Sequence, residues 1–578
     1  MPPIPKRWTV QEPVSRRQLN RLSGLHPLLV QILANRGVIE SDEVDAFLAG
    51  RARFDDPFAL AGGEEAVGRI RTAIRAGERV VVYGDFDADG VTATVLLVQA
   101  LGALGARVEH YIPHRVDEGY GLNRGALEGI AGRGARLVIT VDCGIRSSDD
   151  VAFGNEQGLD MIVTDHHSIG RDLDGRQVLP QACAVINPRQ DGDSYPCKDL
   201  TGVGLAFKLA QALMIAEKRE PIARGPVTLG ESDLLDLVAL GTVADLAPLL
   251  GENRALVQRG LRTLNEAKRP GIRAMLHESG LVPGRVDATA IGFVLAPRLN
   301  AAGRLKSADL SFRLLMASDI EQAWELAAEL GRLNQERQRK TAEMVALAER
   351  QIEVDPPCHP LYFVTAPDFL PGIVGLVAGR LADELYRPAL IAHQGEHETV
   401  GSARSIPEFD ITGALDECRD LLVRHGGHSA AAGFTVKNER VGLLKQRLEA
   451  IATRQLGGLE LAPALAIDAV VGLSELDFAL HHLLEQLEPC GSGNPSPLLA
   501  TFGLPVVSSR TVGTDRRHLK LTVRDPDSGE IMDAIAFRQG EWFDRHGPRV
   551  DIAYTLEVNS YNGEHRLQLN VKDLRPAT

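Results

Sequence analysis

One short stretch, Val80–Gly90, constrains the fold of this chain more than any other part of its sequence. Its first four residues are three valines and a tyrosine, a β-branched run that is typical of a buried strand. Aspartates then occupy alternate positions, Asp85, Asp87 and Asp89, before a closing glycine. The segment Val91–Leu104 that follows has the apolar spacing of a helix. Strand, acidic loop and helix together predict the first unit of an open α/β sheet, in which ligands collect at the carboxyl ends of the strands.

The acidic loop admits three interpretations. Carboxylates this close repel one another, and a divalent cation with oxygen ligands would neutralise them. An EF-hand loop has the same aspartate spacing, but its twelfth position should be Glu and here is Leu96. A solvated acidic turn is the third alternative. The stretch alone therefore favours a metal site without establishing one.

The bulk composition indicates a multi-domain cytoplasmic protein. A length of 578 residues predicts several domains. Six cysteines without a C-x-x-C pair argue against structural zinc or a disulfide framework and suit a reducing compartment. The first residues lack the apolar core of a signal peptide, and no run approaches about 18 apolar residues, so we expect no membrane span. The net charge of -14 argues against indiscriminate coating of nucleic acid, although an acidic catalytic centre would contribute to it.

Between residues 66 and 250 strand-like and helix-like segments alternate. The candidate strands are Arg79–Tyr83, Ala106–Ile112, Leu137–Val141, Met161–Thr164 and Ala184–Ile186. Helices fit between them, as at Gly63–Ala76 and Asn123–Arg133. This alternation predicts a mostly parallel, doubly wound sheet.

Two more of these strands run directly into acidic residues. The third predicted strand ends in Asp142, and the fourth ends in the run Asp165-His166-His167. One such aspartate could simply cap the next helix. Carboxylates at three strand ends of one sheet, one of them with adjacent histidines, instead predict a shared site.

A fourth carboxylate completes the set. A predicted buried helix over Leu234–Leu240 breaks at Gly241, and Asp245 follows in an apolar neighbourhood, where a carboxylate must be hydrogen-bonded, paired or metal-bound. The candidate residues are Asp85, Asp87, Asp89, Asp142, Asp165, His166, His167 and Asp245. Oxygen ligands with one or two imidazoles suit Mn²⁺ or Mg²⁺ better than structural zinc, and several adjacent carboxylates suit two ions.

Three further regions follow the sheet. Residues 319–354 contain no proline and one glycine and predict one long helix. Residues 360–455 read as a smaller α/β domain, and the short alternating runs of 465–578 predict an OB-fold β-barrel. We therefore expect an α/β multi-domain protein with a cap (1–65), a parallel doubly wound domain (66–318), a connector helix (319–354), a smaller α/β domain (355–460) and a barrel (465–578).

The sequence motifs resemble those of a known superfamily. The segments Gly84–Gly90, Val141–Gly144, Asp165–His167 and Ala244–Asp245 resemble the four motifs of the DHH phosphoesterases. Within that superfamily, Gly119–Leu122 and Pro297–Arg304 look like motifs of the bacterial RecJ exonucleases, and Gly401–Arg404 and Gly426–Gly433 fit the associated DHHA1 domain. The resemblance covers the chain from about residue 50 to its end, and no acidic motif position is substituted.

The resemblance implies a single-strand-specific, metal-dependent exonuclease that releases mononucleotides from a 5′ end in recombination and DNA repair. The residues that would hold Mn²⁺ or Mg²⁺ are Asp87, Asp89, Asp142, His166 and Asp245, with Asp85 in the same shell. His167 would contact the scissile phosphate or move a proton, and Asp165 would orient its neighbours. The family also suggests cooperation with single-strand-binding protein and a RecQ-type helicase, and we expect a monomer.

We further predict two sets of DNA contacts. A glycine-rich turn before a small-residue helix would offer free N–H groups to a phosphate, and arginines would add charged forks. The predicted phosphate-binding residues are Arg115, Arg298, Arg304, Ser402, Arg404, Gly426, Gly427 and His428. The predicted contacts in the barrel groove are Arg516, Arg517 and Lys520, with Phe537 and Tyr561 as possible stacking platforms.

Three other functions fit parts of this pattern. A relative acting on short oligonucleotides, cyclic dinucleotides or pyrophosphate would need neither the connector helix nor the barrel. A non-catalytic strand-binding scaffold would not need an intact acidic set. An aspartyl-phosphate phosphatase with Asp85 as nucleophile would leave His166, His167 and Asp245 unexplained.

Overall fold

The protein forms two compact units. The computed structural model describes residues 4–49, 54–115, 117–172, 174–223, 225–354, 359–561 and 564–577. The first unit comprises Met1–Ile4, Phe54–Ala247 and Arg259–Leu461, and the second comprises Pro5–Arg53, Pro248–Gln258 and Ala462–Thr578. Among the described residues, no helix is both long and apolar enough to cross a membrane.

The secondary structure elements are numbered here in chain order. The strands are β1 (Arg7–Val10), β2 (Arg79–Tyr83), β3 (Arg107–Tyr111), β4 (Ala135–Val141), β5 (Asp160–Thr164), β6 (Ala184–Ile186), β7 (Tyr362–Ala366), β8 (Ala389–Gln394), β9 (Glu398–Arg404), β10 (Leu422–His428), β11 (Ala431–Lys437), β12 (Ala464–Ile467), β13 (Ala469–Val470), β14 (Leu499–Val512), β15 (His518–Arg524), β16 (Ile531–Ala536), β17 (Arg549–Tyr561) and β18 (Glu564–Pro576). The α-helices are α1 (Arg16–Arg21), α2 (Pro27–Asn35), α3 (Ser41–Ala49), α4 (Gly63–Ala76), α5 (Ala88–Ala103), α6 (Arg124–Gly132), α7 (Ser148–Glu156), α8 (Gly202–Arg219), α9 (Leu235–Ala244), α10 (Gly251–Asn265), α11 (Pro270–Glu278), α12 (Ala288–Ala290), α13 (Ala296–Leu305), α14 (Asp309–Met316), α15 (Ile320–Val354), α16 (Val374–Leu385), α17 (Ile411–Asp416), α18 (Val441–Leu456) and α19 (Phe478–Glu485). A π-helical turn, Ile291–Leu295, joins α12 to α13.

The predicted parallel sheet is confirmed in the first unit. Its strand order is β3-β2-β4-β5-β6, and every neighbouring pair is parallel. The central strands are buried valine-rich and isoleucine-rich segments, as a sheet covered on both faces requires. Because β3 and β4 lie on opposite sides of β2, the sheet has a topological switch point between β2 and β4. A crevice opens there at the carboxyl ends, where Asp85 follows β2 and Asp142 follows β4.

Helix α9 corrects one expectation. We predicted a break at Gly241, but the helix continues to Ala244. Gly241 lies where α9 packs against α5, and a Cβ at this position would lie 2.7 Å from Oδ1 of Asp89. The glycine therefore permits close helix packing and does not end the helix. Asp245 directly follows α9.

The second half of the first unit begins with α15, which confirms the long helix predicted over residues 319–354. A five-stranded sheet of order β10-β11-β9-β8-β7 follows, parallel only between β7 and β8. The predicted glycine-rich turn at the start of a helix is wrong. Gly426, Gly427 and His428 lie in β10, which pairs with β11 as a hairpin. Gly427 permits close approach of the strands, since a Cβ there would lie 2.5 Å from the Cα of Ala432.

The second unit contains the predicted OB-type barrel. Strands β14, β15, β16, β18 and β17 pair in that order, and the pairing of β14 with β17 closes the barrel. Leucine, valine and alanine side chains that alternate along β15 and β16 fill its interior. The sequence predicted residues 1–65 as a cap without assigned chemistry, and apolar residues of α2 and α3 share the core of this barrel.

Candidate active site

The acidic loop after β2 is shaped by its own backbone. Asp87 is the N-cap of α5, and its Oδ1 accepts hydrogen bonds from the N–H groups of Asp89 (2.9 Å) and Gly90 (3.1 Å). Asp85 is buried just before this turn, and its Oδ1 has no hydrogen-bond partner among the described residues. Asp87 therefore caps the start of α5, and Asp85 keeps a carboxylate oxygen available to a ligand.

Asp89 is fixed by the start of another helix. Its Oδ2 accepts from the N–H of Gly202 (2.7 Å), and its Oδ1 accepts from the N–H of Val203 (2.9 Å), both in the first turn of α8. A Cβ at Gly202 would lie 2.5 Å from the Cβ of Asp142, so only glycine fits between the two aspartates. The helix start thus brings two carboxylates together and holds one of them rigidly.

Asp142 and His166 meet above the ends of β4 and β5. Asp142 has a left-handed backbone, with φ of 62°, which is tolerated by Asp more readily than by most residues. Its Oδ1 lies 3.0 Å from Nε2 of His166, yet neither buried atom has a hydrogen-bond partner within the described part of the chain. A separation of roughly 3 Å is the spacing of adjacent ligands around an octahedral ion with bonds near 2.1 Å.

His166 is chemically suited to be a ligand. Burial lowers its pKa to about 3, and the positive charge of His167 acts in the same direction. The imidazole is therefore neutral at physiological pH and keeps a lone pair for a metal. Its Nε2 also lies 3.7 Å from Oδ2 of Asp245 and 3.9 Å from Oδ2 of Asp89.

Three groups of potential ligands overlap at this place, and within each group the ligand atoms lie within 4.8 Å of one another. The groups are Asp85 with Asp87 and Asp142, Asp89 with His166 and Asp245, and Asp142 with His166 and His167. Asp142 connects the first group to His166, so the three groups together could hold two adjacent cations. The unpartnered atoms and the oxygen-rich donors fit Mn²⁺ or Mg²⁺. Below, "metal centre" means Asp85, Asp87, Asp89, Asp142, His166 and Asp245.

The carboxylates of the metal centre repel one another. Burial and then neighbouring aspartates raise the pKa of Asp89 to about 7 and that of Asp245 to about 8. The pKa values of Asp85 and Asp142 also lie well above their ordinary range for the same two reasons. Bound cations would remove this repulsion, because they favour the ionised carboxylates.

His167 and Asp165 form a separate pair beside the metal centre. Oδ1 of Asp165 lies 2.7 Å from Nδ1 of His167 and also accepts the backbone N–H of His167 at 3.0 Å. Burial disfavours the imidazolium, but the bond and charge of Asp165 prevail and raise the pKa of His167 to about 9. Oδ2 of Asp165 accepts from the N–H of Ile145 at 2.9 Å. Adjacent histidines therefore differ in charge, one neutral and one cationic.

Two residues of the site lie in the quoted motifs but received no role from the sequence. The Tyr120 hydroxyl donates to the backbone oxygen of Asp142 and lies 3.2 Å from Nδ1 of His167, while its side chain is largely exposed. Oδ1 of Asn300, in α13, accepts the N–H of Ala88 at 2.7 Å. That bond holds the acidic loop between its second and third aspartates. Position within a motif was the only signal for either residue.

Three of the predicted phosphate-binding arginines, Arg115, Arg304 and Arg404, lie close enough together for their charges to act on one another. Arg115 lies over the ring of Phe86 at 4.5 Å and is close enough to Asp85 and Asp87 for their charges to act on its pKa. Burial lowers the pKa of Arg304 to about 9, with further lowering by neighbouring arginines that include Arg115 and Arg404.

Ser402 and Arg404 lie two residues apart on one face of β9. Nη1 of Arg404 donates to Oγ of Ser402 at 3.0 Å, and Nη1 of Arg304 donates to the backbone oxygen of Gly372 at 3.1 Å. Among the described residues, neither arginine forms an ion pair with a carboxylate. The two guanidinium groups are thus positioned by neutral oxygens and remain available to an anion.

The other predicted DNA-binding residues do not belong to this group of three arginines. Nε of Arg298 is 2.7 Å from Oε2 of Glu278, so that guanidinium is held in an ion pair. Burial and then the neighbouring positive charges of Arg146 and His167 lower the pKa of His428, so this side chain lies near His167. In the barrel, Arg516 and Arg517 are exposed, and Nζ of Lys520 lies 3.0 Å from Oδ2 of Asp533. The side chain of Tyr561 lies outside the described part of the chain.

Comparison with known proteins agrees with this architecture. Family models match the DHH family N-terminal domain at residues 79–242, the DHHA1 domain at 361–454 and the RecJ OB domain at 467–573. The chain is 38% identical to the single-stranded-DNA-specific exonuclease RecJ of Bacillus subtilis strain 168, over 98% of this chain and 70% of that protein. It is 35% identical to the Escherichia coli K12 protein of the same name, over 96% of each chain.

A solved crystal structure of a relative has the same fold. The fold matches the crystal structure of RecJ in complex with Mn²⁺ from Thermus thermophilus with a TM-score of 0.84 at 31% identity, covering 99% of this chain and 80% of that one. The likeness to these relatives thus extends over nearly the whole chain and is not confined to one domain. The chain therefore belongs to the RecJ family of single-stranded-DNA-specific exonucleases.

Proposed function

We propose that this protein is a metal-dependent exonuclease that removes mononucleotides from the 5′ end of single-stranded DNA. The observation that carries the proposal is the position of Arg115 between two opposite sites. The charges of Asp85 and Asp87 act on the pKa of Arg115, and burial followed by the charge of Arg115 lowers the pKa values of the partly buried Arg304 and Arg404. A terminal phosphate held by the arginines would place the next phosphodiester, one nucleotide away, at the metal centre. Names and metal complexes of the relatives support this function.

The side chains divide the chemistry among them. Asp85, Asp87, Asp89, Asp142, His166 and Asp245 would hold one or two divalent cations. Such ions, when bound, neutralise the phosphoryl charge and help to activate the attacking water. The Asn300 carbonyl and the α8 backbone keep Asp87 and Asp89 at fixed positions, so binding requires little rearrangement.

His167 would act on the phosphate as a cation. Asp165 engages Nδ1 and keeps the ring protonated at neutral pH, which leaves Nε2–H for a phosphoryl oxygen or the departing oxygen. The hydroxyl of Tyr120 touches the same Nδ1 and would help to orient the ring. Asp165 thereby stabilises the imidazolium without contacting the substrate.

The cellular setting is part of the proposal. We infer a monomeric enzyme in the cytoplasm that acts in recombination and repair together with single-strand-binding protein and a RecQ-type helicase. The residues that would contact DNA in the barrel are Arg516, Arg517 and Lys520. Co-purification with either partner, and sedimentation of the purified chain, would test this setting.

The activity is tested with one strand labelled at its 5′ end, the same strand labelled at its 3′ end, and a blunt duplex. Each is incubated with Mn²⁺, Mg²⁺ or chelator. We expect metal-dependent release of a mononucleotide from the 5′ label and an intact duplex. Release from the 3′ label first would contradict the polarity, and binding without cleavage in every metal would contradict an enzyme.

A further inference from the structure

Tyr120 lies at a flexible point of the chain. Its neighbours Gly119 and Gly121 both have left-handed backbones, with φ of 82° and 88°, and the Tyr120 side chain is more than half exposed. Glycine leaves the main chain free on both sides of a residue. The hydroxyl of Tyr120 nevertheless lies 3.2 Å from Nδ1 of His167. That contact therefore depends on what holds the chain before Gly119 and after Tyr120.

Glu118, directly before the first of these glycines, is fixed by three donors. Its Oε1 accepts the backbone N–H of His114 at 2.7 Å, while its Oε2 accepts the Tyr111 hydroxyl at 2.6 Å and Nδ2 of Asn123 at 2.8 Å. Tyr111 is the last residue of β3, and Asn123 is the N-cap of α6. One carboxylate therefore ties together both ends of the segment that joins β3 to α6.

The second glycine is held from the interior of the first unit. The buried Tyr83 hydroxyl donates to the backbone oxygen of Gly121 at 3.1 Å and accepts from Nδ2 of Asn123 at 3.3 Å. Because Asn123 also donates to Glu118, the anchors on the two sides of Tyr120 belong to one set of hydrogen bonds. Below, "anchoring network" means Tyr83, Tyr111, Glu118 and Asn123.

The carboxylate of Glu118 is the charged member of the anchoring network. Burial disfavours its ionised form, but the hydrogen bonds from His114, Tyr111 and Asn123 prevail and lower its pKa below the ordinary value. Hydrogen bonds to an ionised acceptor are the stronger ones. Both oxygens accept here, so an amide at this position would turn an N–H group toward at least one of the donors.

We propose that Glu118 is a positioning residue for the reaction, which fixes the Tyr120 hydroxyl against His167 and thereby orients the imidazolium toward the phosphate. The inference rests on the proposed function, because it concerns the same histidine. Among the described residues, no hydrogen bond or ion pair joins Glu118 to the metal centre. Glu118 therefore acts on kcat through Tyr120 and leaves the Mn²⁺ requirement unchanged.

The kinetic test is a double-mutant cycle of E118Q, Y120F and the variant with both changes, on single-stranded DNA with saturating Mn²⁺. We expect each single change to lower kcat roughly tenfold and the double variant to be no slower than Y120F, because Glu118 acts through that hydroxyl. Multiplied losses, roughly a hundredfold in the double variant, would show independent roles and overturn the inference. The control E128Q changes an exposed carboxylate of α6 and should keep the wild-type kcat.

Y111F repeats the cycle with a smaller change to the protein. It removes one of the three donors to Glu118 and keeps the ring at the end of β3. We expect kcat to fall about threefold, and we expect that loss to vanish in a Y120F background. A loss of the same size in both backgrounds would show a role that does not pass through Tyr120 and would overturn the inference.

A second measurement does not depend on catalysis. Amide hydrogen exchange of residues 117–123, followed with chelator present, should be faster in E118Q than in the wild type or E128Q, because the chain around Gly119 loses its anchor. Equal exchange in all three proteins would overturn the inference. A wild type without exonuclease activity whose segment still exchanges faster in E118Q would contradict the proposed function while supporting the anchor, so the two failures are distinguishable.

Discussion

The metal centre and the arginine cluster formed by Arg115, Arg304 and Arg404 are two concentrations of like charge in the same unit, and they are built differently. The acidic ligands follow the ends of β2, β4 and β5, with one more after α9, so neighbouring strands of one sheet present them. The arginines come from the loop after β3, from α13 and from β9, which are distant in sequence. Sheet topology brings most of the first site together, and α8 and α9 complete it, whereas the second site requires the packing of both halves of the first unit.

The difference shows how each site tolerates its own repulsion. Burial and mutual repulsion raise the pKa values of Asp89 and Asp245, so that these carboxylates can be protonated and neutral until a cation binds. Arginine remains charged near neutral pH, so the arginine cluster depends on neutral oxygens such as Ser402 Oγ and Gly372 O until an anion binds. The acidic site should therefore respond to pH and metal, and the basic site to the charge of the strand end.

The largest effect is expected at Asp142, which connects the ligand groups of the metal centre. We expect D142N to lower kcat on single-stranded DNA by roughly a thousandfold, because an amide keeps the shape but loses the charge that holds the ions. Mn²⁺ titration followed by calorimetry should show fewer or weaker sites. D191N, at an exposed carboxylate paired with Arg171, is the control and should retain activity. Full activity of D142N would remove this residue from the site.

A smaller loss is expected at Arg404. R404A should reduce kcat/KM for 5′-phosphorylated strands by roughly a hundredfold while Mn²⁺ binding stays intact, since charge-assisted bonds to phosphate are lost but the metal centre is not altered. R380A removes an exposed arginine of α16 that pairs with Glu384, and should change little. If R404A also lost affinity for Mn²⁺, the arginine cluster and the metal centre would not act as separate sites.

Asn300 tests whether the acidic loop must be held from outside. N300A should raise the Mn²⁺ concentration for half-maximal activity by about tenfold, because the Ala88 N–H loses its acceptor and the loop loosens. N300D keeps an acceptor oxygen and should restore part of the effect. N123A removes a comparable cap from α6 and should cost stability without shifting the metal requirement. Equal metal requirements in N300A and N123A would assign Asn300 a structural role only.

The smallest effect is a pH dependence of stability in chelator. Asp89 and Asp245 have folded-state pKa values of about 7 and about 8, above the ordinary 3.8, so the folded chain binds these protons more tightly than the unfolded chain. Their contribution to stability is full below about pH 4 and is lost as pH rises through 7 and 8. We expect the melting temperature to fall by roughly 5 °C between pH 6 and 8.5. Mn²⁺ should abolish that fall, and a flat profile without metal would contradict the shifts.

Much of the metal centre was predictable because its information is local. A β-branched run followed closely by Asp85 or Asp142 identifies the strand and the acidic residue at its end, and parallel strands place their carboxyl ends at one edge. The strands β2 and β6 occur with the predicted bounds, and α15 begins one residue from its predicted start. Domain boundaries in the chain and the roles of individual site residues stay predictions.

The remaining features depend on tertiary contacts that local pattern does not encode. Gly241 and Gly427 look like helix breakers or turns, but one permits helix packing and the other close strand approach. Arg298 belongs to the same motif as Arg304, yet Glu278 pairs with it. Arg337 and Arg339 are two of many charged residues on α15, and only the fold shows that Nε of Arg337 is buried while Arg339 pairs with Glu343 at the surface. Hydrophobic periodicity predicts which face of a helix or strand is buried, but it does not predict which charged side chains pair with each other.

The glycine at position 202 has a consequence for the choice of ion. The backbone of α8 meets Asp89 and Asp142 without an intervening side chain, and its N–H groups hold both oxygens of Asp89, so that the Asp89 carboxylate has little freedom to move. Mg²⁺ binds at about 2.0–2.1 Å with six ligands, whereas Ca²⁺ needs about 2.3–2.6 Å and often more ligands. A rigid spacing selects by ionic radius, and the protein should discriminate against the larger cation even where its charge is the same.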